Sequence, residues 1–196
     1  RLEGGTASDA NSDKRLAVVV GYGPVGRTLT QMLIENGFEI NVIELNLTTV
    51  HRLKDLGIGG VYGDASHRET LVEAGIGRAA ALMMTSSSTQ NVADTIRVAR
   101  ELNPEIRVLV RATYLKETNE LRGAGADVVF TGEGEVALTM TEFLLRQLGA
   151  TEDQIDRENQ RIREELFGGP LGTAGLLAVA SNEESSSPEA VSSSPE

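Results

Sequence analysis

Residues 16–27, Leu-Ala-Val-Val-Val-Gly-Tyr-Gly-Pro-Val-Gly-Arg, constrain the fold more than any other stretch of the chain. An apolar run leads into Gly21-Tyr22-Gly23-Pro24-Val25-Gly26, and a helical pattern follows. A short, β-branched, uninterrupted apolar run reads as a strand buried on both faces, as in a parallel sheet. The glycines let the backbone turn tightly and lie against a phosphate. The next helix aims its N-terminal amides and positive dipole end at the same anion.

The same alternation continues along the chain. Strands are predicted at 15–20, 39–45, 60–62, 80–85, 106–112 and 127–131. Helices are predicted between them. The first runs over 25–36 and is closed by Gly37. The second is capped by Asn46 or Thr48 and closed by Gly57. The third is capped by Ser66 and ends near Gly75. The fourth is capped by Ser87 or Ser88 and stopped before Pro104, and the fifth runs from a Thr113 cap to Arg122. Six strands, each followed by a helix, predict an α/β doubly wound six-stranded parallel sheet of the dinucleotide-binding kind. Only 4% of the residues are aromatic and none is Trp, so the core must be aliphatic.

Two C-terminal helices are predicted after the sixth strand. Residues 136–148 place Val136, Leu138, Met140, Phe143, Leu144 and Leu148 mostly at helical spacing. Residues 151–167 are far more polar, the composition of a helix that lies on the surface or bridges to a partner. The chain therefore divides into a polar linker (1–13), a nucleotide-binding domain (14–132), a two-helix extension (133–167) and a tail (168–196). In the tail Ser-Ser-Ser-Pro-Glu occurs twice, which reads as disorder. The polar residues before Lys14 read as a linker leaving a longer protein or as a remnant of trimming.

Net charge is −11, which argues against a nucleic-acid surface. With no cysteine there is no disulfide framework, thiol nucleophile or Cys-based metal site. No apolar run approaches the roughly 18 to 20 residues of a membrane span.

Several residues surround the predicted loop. Glu44, followed by Leu45, closes the second strand about 20 residues past the first glycine. An acid there accepts hydrogen bonds from ribose hydroxyls and repels a 2′-phosphate; it also reads as a plain surface carboxylate. Asp64, between Gly63 and Ala65, sits at the carboxyl end of the third strand. It can take an adenine amino group, cap the next helix, or do both. Thr85 and Ser86 close the fourth strand with hydroxyls for ribose, phosphate or a helix cap. Arg111 ends the fifth strand, where it suits phosphate or a surface ion pair. Glu133 and Glu135 can hold a cation or an arginine, or stabilise the start of the next helix.

No catalytic or metal-binding residue is predicted. His51 and His67 lack a partner at metal or triad spacing, and no Tyr-x-x-x-Lys pair is present. No substrate domain follows the nucleotide fold to place a reactant against a nicotinamide. An NAD-dependent oxidoreductase fragment is the alternative, and a free adenine-nucleotide buffer or scaffold a third reading.

Gly21-Tyr-Gly-Pro-Val-Gly-Arg27, Val42-Ile-Glu-Leu-Asn46, Val61-Tyr-Gly-Asp-Ala65, Val110-Arg-Ala112, and Gly125-Ala-Asp-Val-Val129 with Gly132-Glu-Gly-Glu135 occur in that order. Together they resemble an RCK/KTN (TrkA-N) domain, of the kind found in Kef-like monovalent cation:proton antiporters. The resemblance covers about Lys14 to Phe167. It implies a Rossmann-like regulatory domain that binds AMP, ADP, ATP or NAD(H). It also implies a homodimer through the helices after strand six, attached to a membrane antiporter domain (for K+ or Na+) absent from this chain and held at the cytoplasmic face of the membrane. By that resemblance the loop glycines face phosphate, Glu44 the ribose, Asp64 the adenine end and Thr85 the mouth of the site. Many relatives carry Arg where this chain has Pro24. Phosphate charge would then fall to Arg27, Arg111 or a partner subunit, which favours AMP or NAD over di- and triphosphates.

Overall fold

A computed structural model describes residues 15–86 and 91–167. The expected Ser87 or Ser88 cap, the linker 1–13 and the tail 168–196 lie outside the described residues.

Six parallel strands form one sheet in the order β3-β2-β1-β4-β5-β6: β1 (Leu16–Val20), β2 (Glu39–Glu44), β3 (Gly59–Tyr62), β4 (Ala81–Met84), β5 (Arg107–Ala112) and β6 (Val128–Thr131). Every residue of β1 is buried, because it pairs on both edges and carries helices on both faces. Its side chains alternate between two cores. Ala17 and Val19 meet Leu33, Val42, Leu53 and Met83 on the face of α1 (Pro24–Glu35) and α2 (Leu47–Asp55). Val18 and Val20 meet Leu71, Ile96 and Val110 on the other face, with α3 (Arg68–Glu73), α4 (Val92–Leu102) and α5 (Thr118–Gly123). Both cores are almost wholly aliphatic, and Phe38 is the only aromatic residue in either buried set among the described residues.

Most helix boundaries follow local chemistry. Pro24 opens α1, where its missing N–H costs nothing and its fixed φ suits helix entry. Asn46 caps α2, its side chain accepting from the Thr49 amide at 3.1 Å.

Three expectations are corrected. Ser66 does not cap the third helix: its amide is taken by the Asp64 carboxylate at 2.8 Å, and α3 begins at Arg68 after His67. Thr113 does not cap the fifth. Its amide and that of Tyr114 both donate to Glu117 Oε2 at 2.9 Å, and one 3-10 turn (Leu115–Glu117) intervenes before α5. The sixth helix starts at Gly132 rather than Val136. Thr131, the last residue of β6, caps it by accepting from the Gly134 amide at 3.1 Å, so strand passes straight into α6 (Gly132–Gln147).

The last helix, α7 (Glu152–Phe167), folds back on α6 and buries Ile155 to 1% exposure. Its polar face carries Arg161 paired with Glu158 and Glu165, and Arg146 of α6 joins Glu142 to Glu152. No helix among the described residues is long and apolar enough to cross a membrane.

Candidate functional site

Strand order reverses between β1 and β4, and their carboxyl ends open a cleft of about 600 Å³ there. Its lining holds Gly21, Tyr22, Gly23, Pro24 and Val25 from the loop after β1. Glu44 and Leu45 come from the end of β2, Gly63, Asp64 and Ala65 from after β3, Thr85 and Ser86 from after β4, and Arg111 from β5. Of the six residues of the glycine loop, 21–26, Gly26 alone lies behind the wall. Val20 and Ile43 also line the cleft, and nothing in their composition separates them from the core.

Two of the three loop glycines have structural reasons, and they differ. Gly21 has φ of +90°, a conformation that side-chain-bearing residues rarely adopt. A Cβ on Gly26 would lie 2.1 Å from the Gly21 carbonyl oxygen and 2.9 Å from Thr85 Oγ1, so helix and loop need a bare backbone to touch. Gly23 has φ of −71°, and a Cβ there would meet nothing within 4 Å. Neither backbone angle nor packing requires glycine at that position, which faces the cleft. The residue before Pro24 gives α1 no side-chain cap, and Pro24 has no N–H. The amides of Val25 and Gly26, in the first helical turn, therefore lack intrahelical acceptors, and that of Val25, on the cleft wall, suits an incoming anion. These features fit a phosphate group.

Glu44 is tightly held. Oε2 accepts from the Tyr22 amide at 2.9 Å, while Oε1 accepts from Leu45 at 2.8 Å and Asn46 at 3.1 Å. The carboxylate thus ties the glycine loop to the end of β2, and its remaining lone-pair capacity suits a hydroxyl donor. Asp64 Oδ1 accepts from the Ser66 amide, and this bond lowers the carboxyl pKa below its ordinary value, outweighing desolvation. Both roles read from the sequence for Asp64 are geometrically compatible, except that the turn it stabilises precedes α3 rather than capping it.

Thr85 is 6% exposed and its hydroxyl is directed at the loop, between the carbonyl oxygens of Val20 and Gly21, each at 3.0 Å. Arg111 Nη1 donates to the Thr85 carbonyl at 3.4 Å. Among the described lining residues Arg111 is the one cation, whereas Arg27 is exposed on α1 outside that lining. Glu133 and Glu135 lie elsewhere, in the first turn of α6. Glu133 accepts from the Leu115 amide at 2.8 Å, and Glu135 stands 4.0 Å from Arg163 of α7. Among the described residues no group of three His, Asp or Glu side chains is placed to hold a metal.

Residues 17–132 match the TrkA-N domain family. The chain is 34% identical over 128 residues to the putative cation/proton antiporter YbaL of Escherichia coli, covering 65% of this chain and 23% of that protein. It therefore spans about a quarter of the length of that relative. The crystal structure of the TrkA-N domain of the E. coli inner membrane protein YbaL superposes with a TM-score of 0.64 at 34% identity, over 67% of this chain and 97% of that one. The Shewanella denitrificans Kef C-terminal domain in its AMP-bound form shares the fold at 16% identity, with a TM-score of 0.60 over 79% of this chain and 96% of that one. The GsuK channel bound to NAD does so at 19% identity, with a TM-score of 0.55 over 65% of this chain and 23% of that one.

Proposed function

The chain belongs to the TrkA-N domain family, and on that premise we propose that it is the nucleotide-binding regulatory domain of a monovalent cation:proton antiporter. Residues 14–132 bind the nucleotide, and 133–167 pair two copies. The transport domain belongs to the same longer protein, and this part lies on the cytoplasmic side of the membrane. Nucleotide binding that differs between two arrangements of the dimer shifts the transporter between states.

The observation that carries this reading is Gly23. A glycine that neither φ nor packing requires, on the wall of a cleft at the strand-order reversal, is accounted for by a ligand that needs the backbone bare. Gly21, Gly23 and the Val25 amide face the phosphate, Glu44 the ribose and Asp64 the adenine end. A single cation among the described lining residues, Arg111, set against Glu44 and Asp64, favours AMP or a dinucleotide over ADP and ATP. Glu44 disfavours NADP by repulsion of its 2′-phosphate.

Binding rather than catalysis is supported by the chemistry of the lining. Among the described residues it holds no His and no Lys, and Asp64 is shifted toward the ionised form, away from the range of a proton donor near neutral pH. The experiment is calorimetric titration of the chain and of Gly23→Ala with AMP, ADP, ATP, NAD+ and NADH. The substitution should change stability by no more than about 1 kcal/mol and weaken nucleotide binding at least about tenfold, a loss of roughly 1.4 kcal/mol. Absence of binding by the unaltered chain to every nucleotide overturns the proposal.

A further inference from the structure

Thr85 borders the cleft, yet its hydroxyl is spent on the glycine loop. Two donors reach the loop from this one residue. Its amide bonds the Val20 carbonyl at 3.0 Å, and its hydroxyl stands 3.0 Å from that same carbonyl and 3.0 Å from that of Gly21. A hydroxyl has one proton to give. The Val20 carbonyl already has the amide, so the Gly21 carbonyl is the acceptor that depends on the hydroxyl. The bare Gly26 backbone closes the other side, since a Cβ there would lie 2.1 Å from that carbonyl oxygen and 2.9 Å from Thr85 Oγ1.

The peptide between Gly21 and Tyr22 is therefore held at both ends. Its carbonyl meets Thr85, and its amide donates at 2.9 Å to Oε2 of Glu44, on the cleft wall. In a trans peptide the C=O and N–H point to opposite sides, and no peptide bond among the described residues is cis. Thr85 thus keeps the carbonyl oxygen on the side away from Glu44. Gly21, at φ of +90°, has the backbone freedom to turn this peptide over. Turned over, the oxygen would face the Glu44 carboxylate and the cleft, where the negative end of its dipole repels a phosphate.

From this we infer that Thr85 is a positioning residue for the phosphate end of the nucleotide. Its hydroxyl does not touch the ligand. It holds the Gly21 carbonyl off the phosphate and so leaves the Val25 amide to receive it. The inference rests on the nucleotide-binding reading above. The hydroxyl, and not the bulk of the residue, carries the effect. Valine keeps the branched shape with a methyl in place of Oγ1, which leaves the Gly21 carbonyl without its donor. Serine keeps Oγ1 and loses only the methyl.

The test is calorimetry on the 196-residue chain and on Thr85→Val, Thr85→Ala and Thr85→Ser, with AMP titrated directly and adenosine used as a competitor. Adenosine keeps the base and ribose and lacks the phosphate. Thr85→Val should bind AMP about tenfold more weakly and adenosine within about threefold of the unaltered chain. Thr85→Ser should bring AMP back to within about threefold. Thr85→Ala removes the hydroxyl without adding a methyl. It should match Thr85→Val and takes its place if that variant does not fold. Equal losses for AMP and adenosine, AMP binding unchanged in the variants without the hydroxyl, or a Ser variant as weak as those variants each overturns the inference, while AMP binding by the unaltered chain keeps the regulatory reading. Absence of nucleotide binding by the unaltered chain overturns both.

Discussion

Asp64 shows how much one side chain in this cleft does without a ligand. Its Oδ1 holds the Ser66 amide at 2.8 Å and shapes the turn from β3 into α3. Its folded pKa is lowered, so the charged form stabilises the fold above the pKa of the unfolded chain, and that contribution is lost as pH falls through the folded value. Asp64→Asn keeps an oxygen acceptor for the turn and removes the titration. The stability gap between the wild type and Asp64→Asn, followed by urea unfolding, should be present at pH 6 and close below about pH 4. A gap constant with pH would show that the charge has no part in holding the turn. Asp64→Ala, which loses the acceptor as well, should cost about 1 kcal/mol at neutral pH. At this scale the sequence was most legible where spacing carries the chemistry. Gly21, Glu44 and Asp64 stand at the carboxyl ends of consecutive strands, and the cleft gathers them. What each side chain touches was not legible. The Thr85 hydroxyl faces the loop backbone, and the Glu44 carboxylate clasps three amides, because those contacts depend on backbone groups brought together only by folding.

Among the elements, the tie between α4 and the β5–β6 edge is the one that sequence gave no sign of. Arg100 donates to the carbonyls of Gly125, Pro104 and Ile106 and to the Asp127 carboxylate at 2.7 Å. That carboxylate oxygen in turn accepts from the Val108 amide at 2.6 Å. An arginine on a helix reads as a solvated face. Its rigid fork of donors matters here only because three loop carbonyls converge on it. Arg100→Met should cost about 3 kcal/mol, because carbonyls and a half-buried carboxylate lose their partner. Arg100→Lys, with one point donor in place of a fork, should restore less than half of that. Thermal unfolding gives the ranking, and hydrogen exchange should show β6 opening first. A Lys variant as stable as wild type would mean that charge alone suffices. Element boundaries failed for a related reason. Residues 132–135 read as a loop because two of them are glycines, yet the Thr131 hydroxyl and two acids in the first turn start α6 at once. Gly134 is buried in that first turn.

At the scale of the whole molecule, the uneven burial of α6 decides the argument. One stripe, Gly134 and Leu138, is buried. The other, Val136, Met140, Phe143, Leu144 and Leu148, is 56–82% exposed. These positions recur at intervals of three and four, so they form one apolar face along most of the helix. Isolated exposed apolar side chains are ordinary, but a contiguous stripe ending in a Phe and two Leu is not. Polar α7 cannot cover that stripe, since it packs on α6 through Ile155 and turns its ion-paired side outward. In the proposed dimer a second copy would supply an identical stripe, and a two-fold axis would let each bury the other. Met140→Glu with Phe143→Glu would place like charges on both sides of such a contact. Sedimentation should give a dimer for the wild type and a monomer for the double variant, with helix content unchanged because both positions are exposed. A wild type that remains monomeric at high concentration with nucleotide present would remove the dimer. The Glu133 bond to the Leu115 amide would then tie the segment after β5 to a helix with nothing to move. If the dimer forms, that same bond links the segment 113–117, which follows directly on β5 and its Arg111, to the helix that pairs the two copies. Glu133→Ala should therefore leave nucleotide affinity within about twofold while nucleotide ceases to change hydrogen exchange along α6. An undiminished response of α6 in that variant would show that coupling runs by another path.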